Sequence, residues 1–298
     1  MNITICTPTY NRGNLLGKLY ESLKKQNYKS FQWLIIDDGS IDNTEEIVAQ
    51  FIKEKVINIR YIKKENGGKH TALNLAIDEA EGELFWIVDS DDYIADDSLN
   101  YMWDQWNNIK DKSEFAGISG LRGYENGKVI GNTYEGEMID TDALNYRYKY
   151  RIQGDKAEIY RTCILRQFKF PVFEGERYIT ESVVWNRIAN KNLKLRYLNK
   201  VTYICEYLNG GLTNTSDKNI MDSWKGTTLY YKEMLSYKQI PMKEKIFNTI
   251  RSYVHYCYEK NLGVKEVLKI THNGIYIFSG IIIYILKVIK RKYYLMCK

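Results

Sequence analysis

Four short apolar runs in the first 120 residues lack the in–out alternation of a half-buried strand, and segments of helical period separate them. The runs are Ile3–Thr7, Phe31–Ile36, Ile57–Ile62 and Leu84–Val88. Between them lie a stripe at Leu15, Leu16, Leu19 and Leu23 and helical stretches over Glu45–Ile52 and Thr71–Ala80. A strand that is apolar on both sides must be covered on both sides, and strands joined through helices run parallel. The expected class is α/β, an open and mostly parallel sheet with flanking helices and right-handed crossovers. With 44% hydrophobic residues, 298 residues can bury a core for one large domain plus an appendage.

Polar motifs follow each of these strands: TPTYNR, DDGS, ENGGKH and DSDD. Carboxyl ends of strands are where open α/β sheets bind ligands, so four motifs on one edge make a site. Ordinary roles compete for some of them. Asp42, Asn43 and Thr44 before Glu45 and Glu46 read as helix capping, Asp96 to Ser98 as the opening of another helix, and Gly67–Gly68 as turn glycines. Asp37 and Asp38 have no such role, because the run WLII delivers them straight to the edge. Dinucleotide binding needs GxGxxG after the first strand, and TPTYNRGN offers one glycine and a proline there.

Five scattered cysteines without a CxxC pair indicate a reducing compartment, with neither a disulfide framework nor a zinc site. His70, His255 and His272 are too dispersed for a metal site. The N-terminus has no apolar stretch long enough for a signal peptide. Residues 243–298 carry a net charge of +8 and residues 1–242 a net −2. The basic character therefore belongs to the tail, which argues against a nucleic-acid partner.

The stretch FWIVDSDDYI packs Asp89, Asp91 and Asp92 into four positions. Like charges resist joint ionisation, so the grouping is either a solvated acidic turn or a site. Strand alternation would put Asp89 and Asp91 on one side, where two carboxylates suit a hard divalent cation, Mn2+ or Mg2+. TPTYNR, LIIDDGSIDNT and ENGGKHTALNLAIDEAEGELFWIVDSDD in this order resemble the family 2 inverting glycosyltransferases of the GT-A fold, over roughly residues 1–215. The resemblance implies a nucleotide-diphosphate sugar as donor, with DSDD as the metal motif. It places Pro8, Tyr10 and Asp38 around the nucleobase, with Asp38 accepting from a uracil N–H and Asp37 supporting its loop. Asp89 then lies near the ribose, and Asp91, assisted by Asp92, addresses the metal. The family often has Arg before the residue matching Asn74, where Leu73 stands here. Lys69 either supplies the missing positive charge or is a solvated lysine.

An inverting transferase needs a base for the acceptor hydroxyl. The stretches GDKAEIYR and EGERYITESVVWNRIA are the places to look. Glu181 precedes a helical stripe of Val183, Val184, Ile188 and Ala189, where the helix dipole favours an ionised carboxylate. The family usually has Glu-Asp here; this chain has Glu181-Ser182, so Glu181 inherits the role, with Glu174 and Glu176 as runners-up. EYLNGGLTNT resembles a late loop that closes over the diphosphate, with Thr213 within reach of a phosphate. In the tail, IYIFSGIIIYIL is short of the ~20 residues of a membrane span. With the following KVIKRK it fits a helix lying on an anionic membrane surface, or else a helix covering the catalytic domain.

The expected organisation is a catalytic domain over 1–215 and a C-terminal helical region over 216–298. Within the first, residues 1–115 hold the nucleotide sugar and 116–215 the acceptor and base. The expected function is metal-dependent transfer from a UDP-sugar to a glycan or lipid-linked acceptor in the cytoplasm, on the inner face of a bacterial cell membrane. The missing carboxylate at Ser182 keeps one alternative open, a GT-A-fold nucleotide-binding subunit without catalysis.

Overall fold

The computed structural model describes residues 1–206 and 222–246, with positions 282, 285, 286 and 289 beyond them. The first half follows the expected alternation: β1 (Ile3–Thr9), α1 (Leu16–Lys25), β2 (Phe31–Asp37), α2 (Thr44–Glu54), β3 (Ile59–Lys63), α3 (Lys69–Glu79) and β4 (Leu84–Ile87). The second half adds β5 (Tyr93–Ile94), α4 (Ser98–Asn107), β6 (Phe115–Gly123), β7 (Met138–Thr141) and α5 (Ala143–Tyr148). It continues through β8 (Lys156–Arg161), α6 (Thr162–Leu165), α7 (Ser182–Ala189) and β9 (Lys194–Ile204).

The nine strands among the described residues form one sheet, ordered β3-β2-β1-β4-β8-β6-β9-β5, with β7 also on β9. From β3 to β4 the pairing is parallel. Then β8 enters antiparallel to both β4 and β6, while β6 and β9 pair parallel. The mostly parallel expectation thus holds for the first half, and the whole sheet is mixed. Its reversal at β8 matters for function. Tyr160 of β8 pairs with Phe85 of β4, so the N-terminal end of β8 lies at the same edge as the C-terminal end of β4.

Both faces of the sheet are covered, which is why its first strands do not alternate. Leu84, Trp86 and Val88 join Leu16, Leu19, Leu23, Trp33, Met102 and Trp106 in one core layer. Phe85 and Ile87 face the other way, into a layer with Ala72, Leu73, Ala76 and Ile77 of α3 and Val183, Val184 and Ile188 of α7. The α1 stripe buries Leu16, Leu19, Tyr20 and Leu23. The Tyr20 ring stacks on Phe51 of α2 at 4.1 Å between centroids, a pairing worth about 0.5–1.5 kcal/mol beyond its burial.

Past β9, the helix Trp224–Ser236 returns to this body. Arg187 of α7 holds Glu233 with two nitrogens, the closer contact being 2.6 Å. Met234, Tyr237 and Ile240 close over Leu144 and Ala189. Thr213 and nearly all of the apolar, basic tail lie outside the described residues. No helix among the described residues is long and apolar enough to cross a membrane.

Candidate active site

The four polar motifs do meet at one edge of the sheet, and hydrogen bonds tie neighbouring loops together. Pro8 is buried inside β1, and Tyr10, just beyond the strand, is 45% exposed. Asp37 is fully buried and supports its own loop, accepting from Ser40 N–H at 2.7 Å and from the Tyr61 hydroxyl at 2.5 Å. Asp38 reaches across to ENGGKH. Its Oδ1 accepts from Gly67 N–H at 3.0 Å and Lys64 Nζ at 2.7 Å, and its Oδ2 accepts from Gly68 N–H at 2.7 Å. Gly68 has φ +91°, and a Cβ there would meet the Arg177 carbonyl oxygen at 2.1 Å. Only glycine fits, so this residue does more than turn the chain.

The carboxylates of DSDD stand beyond the end of β4, in a turn rather than on the strand. The chain leaves the sheet at Ile87, and Asp92 N–H closes a turn onto the Asp89 carbonyl at 3.1 Å. Each side chain then finds its own partner. Asp89 Oδ1 takes Lys69 Nζ at 2.5 Å, and Arg122 Nη1 stands 4.0 Å from its Oδ2. Asp91 Oδ2 takes Arg12 Nη1 at 2.9 Å. Asp92 accepts from the Tyr203 hydroxyl at 2.8 Å and from Glu206 N–H at 2.9 Å. Burial pushes the Asp89 carboxyl up, but Lys69 and Arg122 overcome this and hold it below the usual range. For Asp92, burial and the charge of Asp89 together raise it to about 6.

A hard divalent cation with diphosphate oxygens in its shell needs only one or two protein carboxylates. Asp91 fits that demand, since its Oδ1 accepts no hydrogen bond among the described residues. Asp92 fits it less directly, because both of its oxygens are already anchored. Among the described residues no three His, Cys, Asp or Glu side chains gather as a ready-made metal cage.

Glu181 stands at the N-cap of α7, as the apolar stripe after it indicated. Its Oε1 lies 2.8 Å from Lys69 Nζ, so Lys69 is no solvated lysine but the link between Asp89 and Glu181. Asp89 and Glu181 together hold its pKa above the usual lysine range despite burial. The runner-up Glu176 has another occupation: its oxygens accept from the N–H groups of Lys225 and Gly226 at 2.6 and 2.9 Å, capping the helix Trp224–Ser236. Glu174 is exposed.

Four contributors had no role assigned from sequence. Arg12 and Lys64 belong to, or border, the motifs themselves. Arg122 and Tyr203 come from β6 and β9, where no motif marks them. The Arg122 guanidinium lies 4.3 Å above the Tyr203 ring, and the Tyr203 hydroxyl also accepts from Asp89 N–H at 3.0 Å. One tyrosine therefore pins both ends of DSDD.

Residues 4–174 match the family model described as "Glycosyl transferase family 2". The poly(ribitol-phosphate) beta-N-acetylglucosaminyltransferase TarS of Staphylococcus aureus is 29% identical over 168 residues, 56% of this chain and 28% of TarS. Glycosyltransferase GlyA of Streptococcus pneumoniae is 26% identical over 222 residues, 71% of this chain and 31% of GlyA. The chain thus spans less than a third of the length of these two relatives. Among solved structures, S. aureus TarS 1–349 in complex with UDP-GlcNAc superposes with a TM-score of 0.57 at 20% identity, covering 89% of this chain and 82% of that one. The Pyrobaculum calidifontis mannosyltransferase PcManGT, in complex with GDP-Man and Mn2+, gives 0.58 at 14% identity, covering 95% and 87%. At these identities the likeness shows a shared fold.

Proposed function

The chain belongs to glycosyl transferase family 2, and from that premise we propose that it moves a sugar from a UDP-sugar onto a hydroxyl of a glycan or lipid-linked acceptor in cell-surface polysaccharide synthesis. The observation that carries the reading is the Lys69 bridge. It joins Asp89, among the loops that would hold the nucleotide, to Glu181 at the mouth of the second half. The UDP-GlcNAc in the TarS complex and the poly(ribitol-phosphate) in the TarS name support the substrate class.

Asp38 and the exposed Tyr10 ring would receive the uracil, and Asp89 would stand by the ribose. Asp91, with Asp92 held behind it by Tyr203, would carry Mn2+ or Mg2+. Such an ion neutralises charge on a departing diphosphate. The acceptor oxygen attacks the anomeric carbon from the side opposite the diphosphate. Its bond forms as the carbon–oxygen bond to the diphosphate breaks, and that electron pair leaves with UDP. The hydroxyl proton passes to Glu181, a carboxylate of the acceptor half, and the anomeric configuration inverts. In this reading residues 1–215 are the catalytic domain, and the basic tail within 216–298 attaches it to the inner face of the membrane, beside a lipid-linked acceptor.

The test is turnover. The purified chain is mixed with a panel of nucleotide sugars and Mn2+, and released nucleotide is measured. Release from a UDP-sugar that EDTA abolishes supports the proposal. Binding of UDP with no release from any donor favours a binding subunit instead.

A further inference from the structure

Glu158 is a carboxylate in the middle of β8 that the reading above leaves without a task. Its place follows from one stacked pair. Tyr160 of β8 and Trp185 of α7 lie ring on ring, centroids 4.3 Å apart, which fixes strand and helix in register. Two residues back along β8 from Tyr160 is Glu158, on the same side of the strand and about 6.6 Å away. One turn back along α7 from Trp185 is Glu181, on the same face and about 5.4 Å away. Both steps run toward the same edge of the sheet. The N-terminal end of β8 lies beside the C-terminal end of β4, and Glu181 is tied through Lys69 to Asp89 just beyond β4. Both carboxylates therefore lie on one side of the sheet toward the same edge, near enough for the charge of Glu181 to act on Glu158.

Glu158 is half-buried, and no side chain among the described residues hydrogen-bonds its carboxylate. The groups around it come from several elements: Asp155 just before its strand, Lys156 and Tyr160 along it, Arg122 from β6, Tyr146 from α5, Tyr197 from β9 and Glu181 at the cap of α7. Lys156 turns away, its ammonium donating to the carbonyls of Ile130, Gln153 and Gly154. Arg122 divides its charge between Asp89 and Glu158. Burial, with Asp155 and Glu181 adding to it and Arg122 opposing, raises the Glu158 carboxyl to about 7.

We propose that Glu158 is the second carboxylate of the acceptor half, a residue acting through Glu181: the proton that the acceptor hydroxyl gives to Glu181 comes to rest on Glu158. This rests on Glu181 receiving that proton, as proposed above. The new glycosidic bond and the departure of UDP are unchanged; only the proton moves on, from one carboxylate to the other. Ionised Glu158 is the competent form, so the rate climbs with pH through about 7.

Two measurements test this. In protein labelled with 13C at the glutamate carboxyls, NMR titration should show one carboxyl changing near pH 7, absent in Glu158→Gln and moved to lower pH in Glu181→Gln, where the neighbouring charge is gone. No such titration, or one unmoved by Glu181→Gln, overturns the inference whether or not the enzyme turns over. UDP release from UDP-GlcNAc, with Mn2+ and water as the accepting hydroxyl, should fall about 10²-fold in Glu158→Gln and lose its rise near pH 7. Glu158→Asp should keep part of both, and UDP affinity should stay unchanged. A wild type that releases UDP while Glu158→Gln matches its rate and pH profile contradicts this inference alone. A wild type that releases none from UDP-GlcNAc or from any other nucleotide sugar of the panel contradicts the transferase reading and this inference with it.

Discussion

The ammonium of Lys69 lies 2.8 Å from Glu181 Oε1, pairing the first residue of α3 with the residue that opens α7. Both side chains are about a quarter exposed, so solvent reaches the pair but does not separate it. Removing Lys69 leaves Asp89 and Glu181 without the cation they share, and removing Glu181 leaves Lys69 to Asp89. Lys69→Met and Glu181→Gln should therefore combine non-additively in urea unfolding, with a coupling of about 0.5–3 kcal/mol. Strict additivity would mean that the bridge is not formed in solution.

Asp38 has a structural duty that its expected contact with uracil did not foresee. Asp38→Ala strands the N–H groups of Gly67 and Gly68 and takes from the Lys64 ammonium its carboxylate partner. A fully buried donor left without its partner costs about 1–3 kcal/mol, and these two are partly buried, so the loss should fall toward about 1 kcal/mol. The variant should unfold at lower urea and bind UDP more weakly by calorimetry. Weaker UDP binding at full stability would show that the Asp38 tether is not formed in solution.

How much of this was legible beforehand depends on what kind of signal each residue leaves. Strands β1 to β4 announce themselves as doubly apolar runs, and the loops after them carry dense polar motifs, so Asp37, Asp38, Asp89 and Glu181 were found where they stand. The orientation of DSDD was not legible. Alternation stops with the strand, and only the turn after Ile87 gives each of the three aspartates its own hydrogen-bond partner. Lys69 could be named but not assigned, because its meaning lies in a partner 112 residues away, at Glu181. Arg122, Tyr203 and Glu158 sit within β6, β9 and β8. They act through cross-strand neighbours, and the antiparallel entry of β8 that brings Glu158 to the site has no local mark in KAEIYR.

Metal dependence should reside in Asp91. Asp91→Asn removes the charged oxygen that is free of hydrogen bonds and leaves Arg12 without its 2.9 Å partner. Released UDP should then require a Mn2+ concentration at least about tenfold higher for half-maximal rate, since a neutral amide is a poor ligand for a hard cation. An unchanged Mn2+ requirement, or wild-type turnover in EDTA, contradicts the assignment.

Stability should respond to pH through Glu158. Its carboxyl is raised from an ordinary 4.5 to about 7, so between those values the folded chain holds a proton that the unfolded chain has released. This contribution is complete below 4.5 and is lost as pH rises through 7. Relative to wild type, Glu158→Gln should gain in melting temperature at pH 8 compared with pH 5. The reverse trend, or none, would show that Glu158 is ionised throughout that window.

The central claim is that Glu181 takes the proton of the attacking hydroxyl while other residues hold the donor. Glu181→Gln keeps the shape and the reach toward Lys69 but cannot accept a proton. The direct measurement is UDP release from a UDP-sugar by this variant, set beside its dissociation constant for UDP. Release should fall by about 10²–10⁴-fold with UDP affinity nearly unchanged. Release at the wild-type rate would contradict the account.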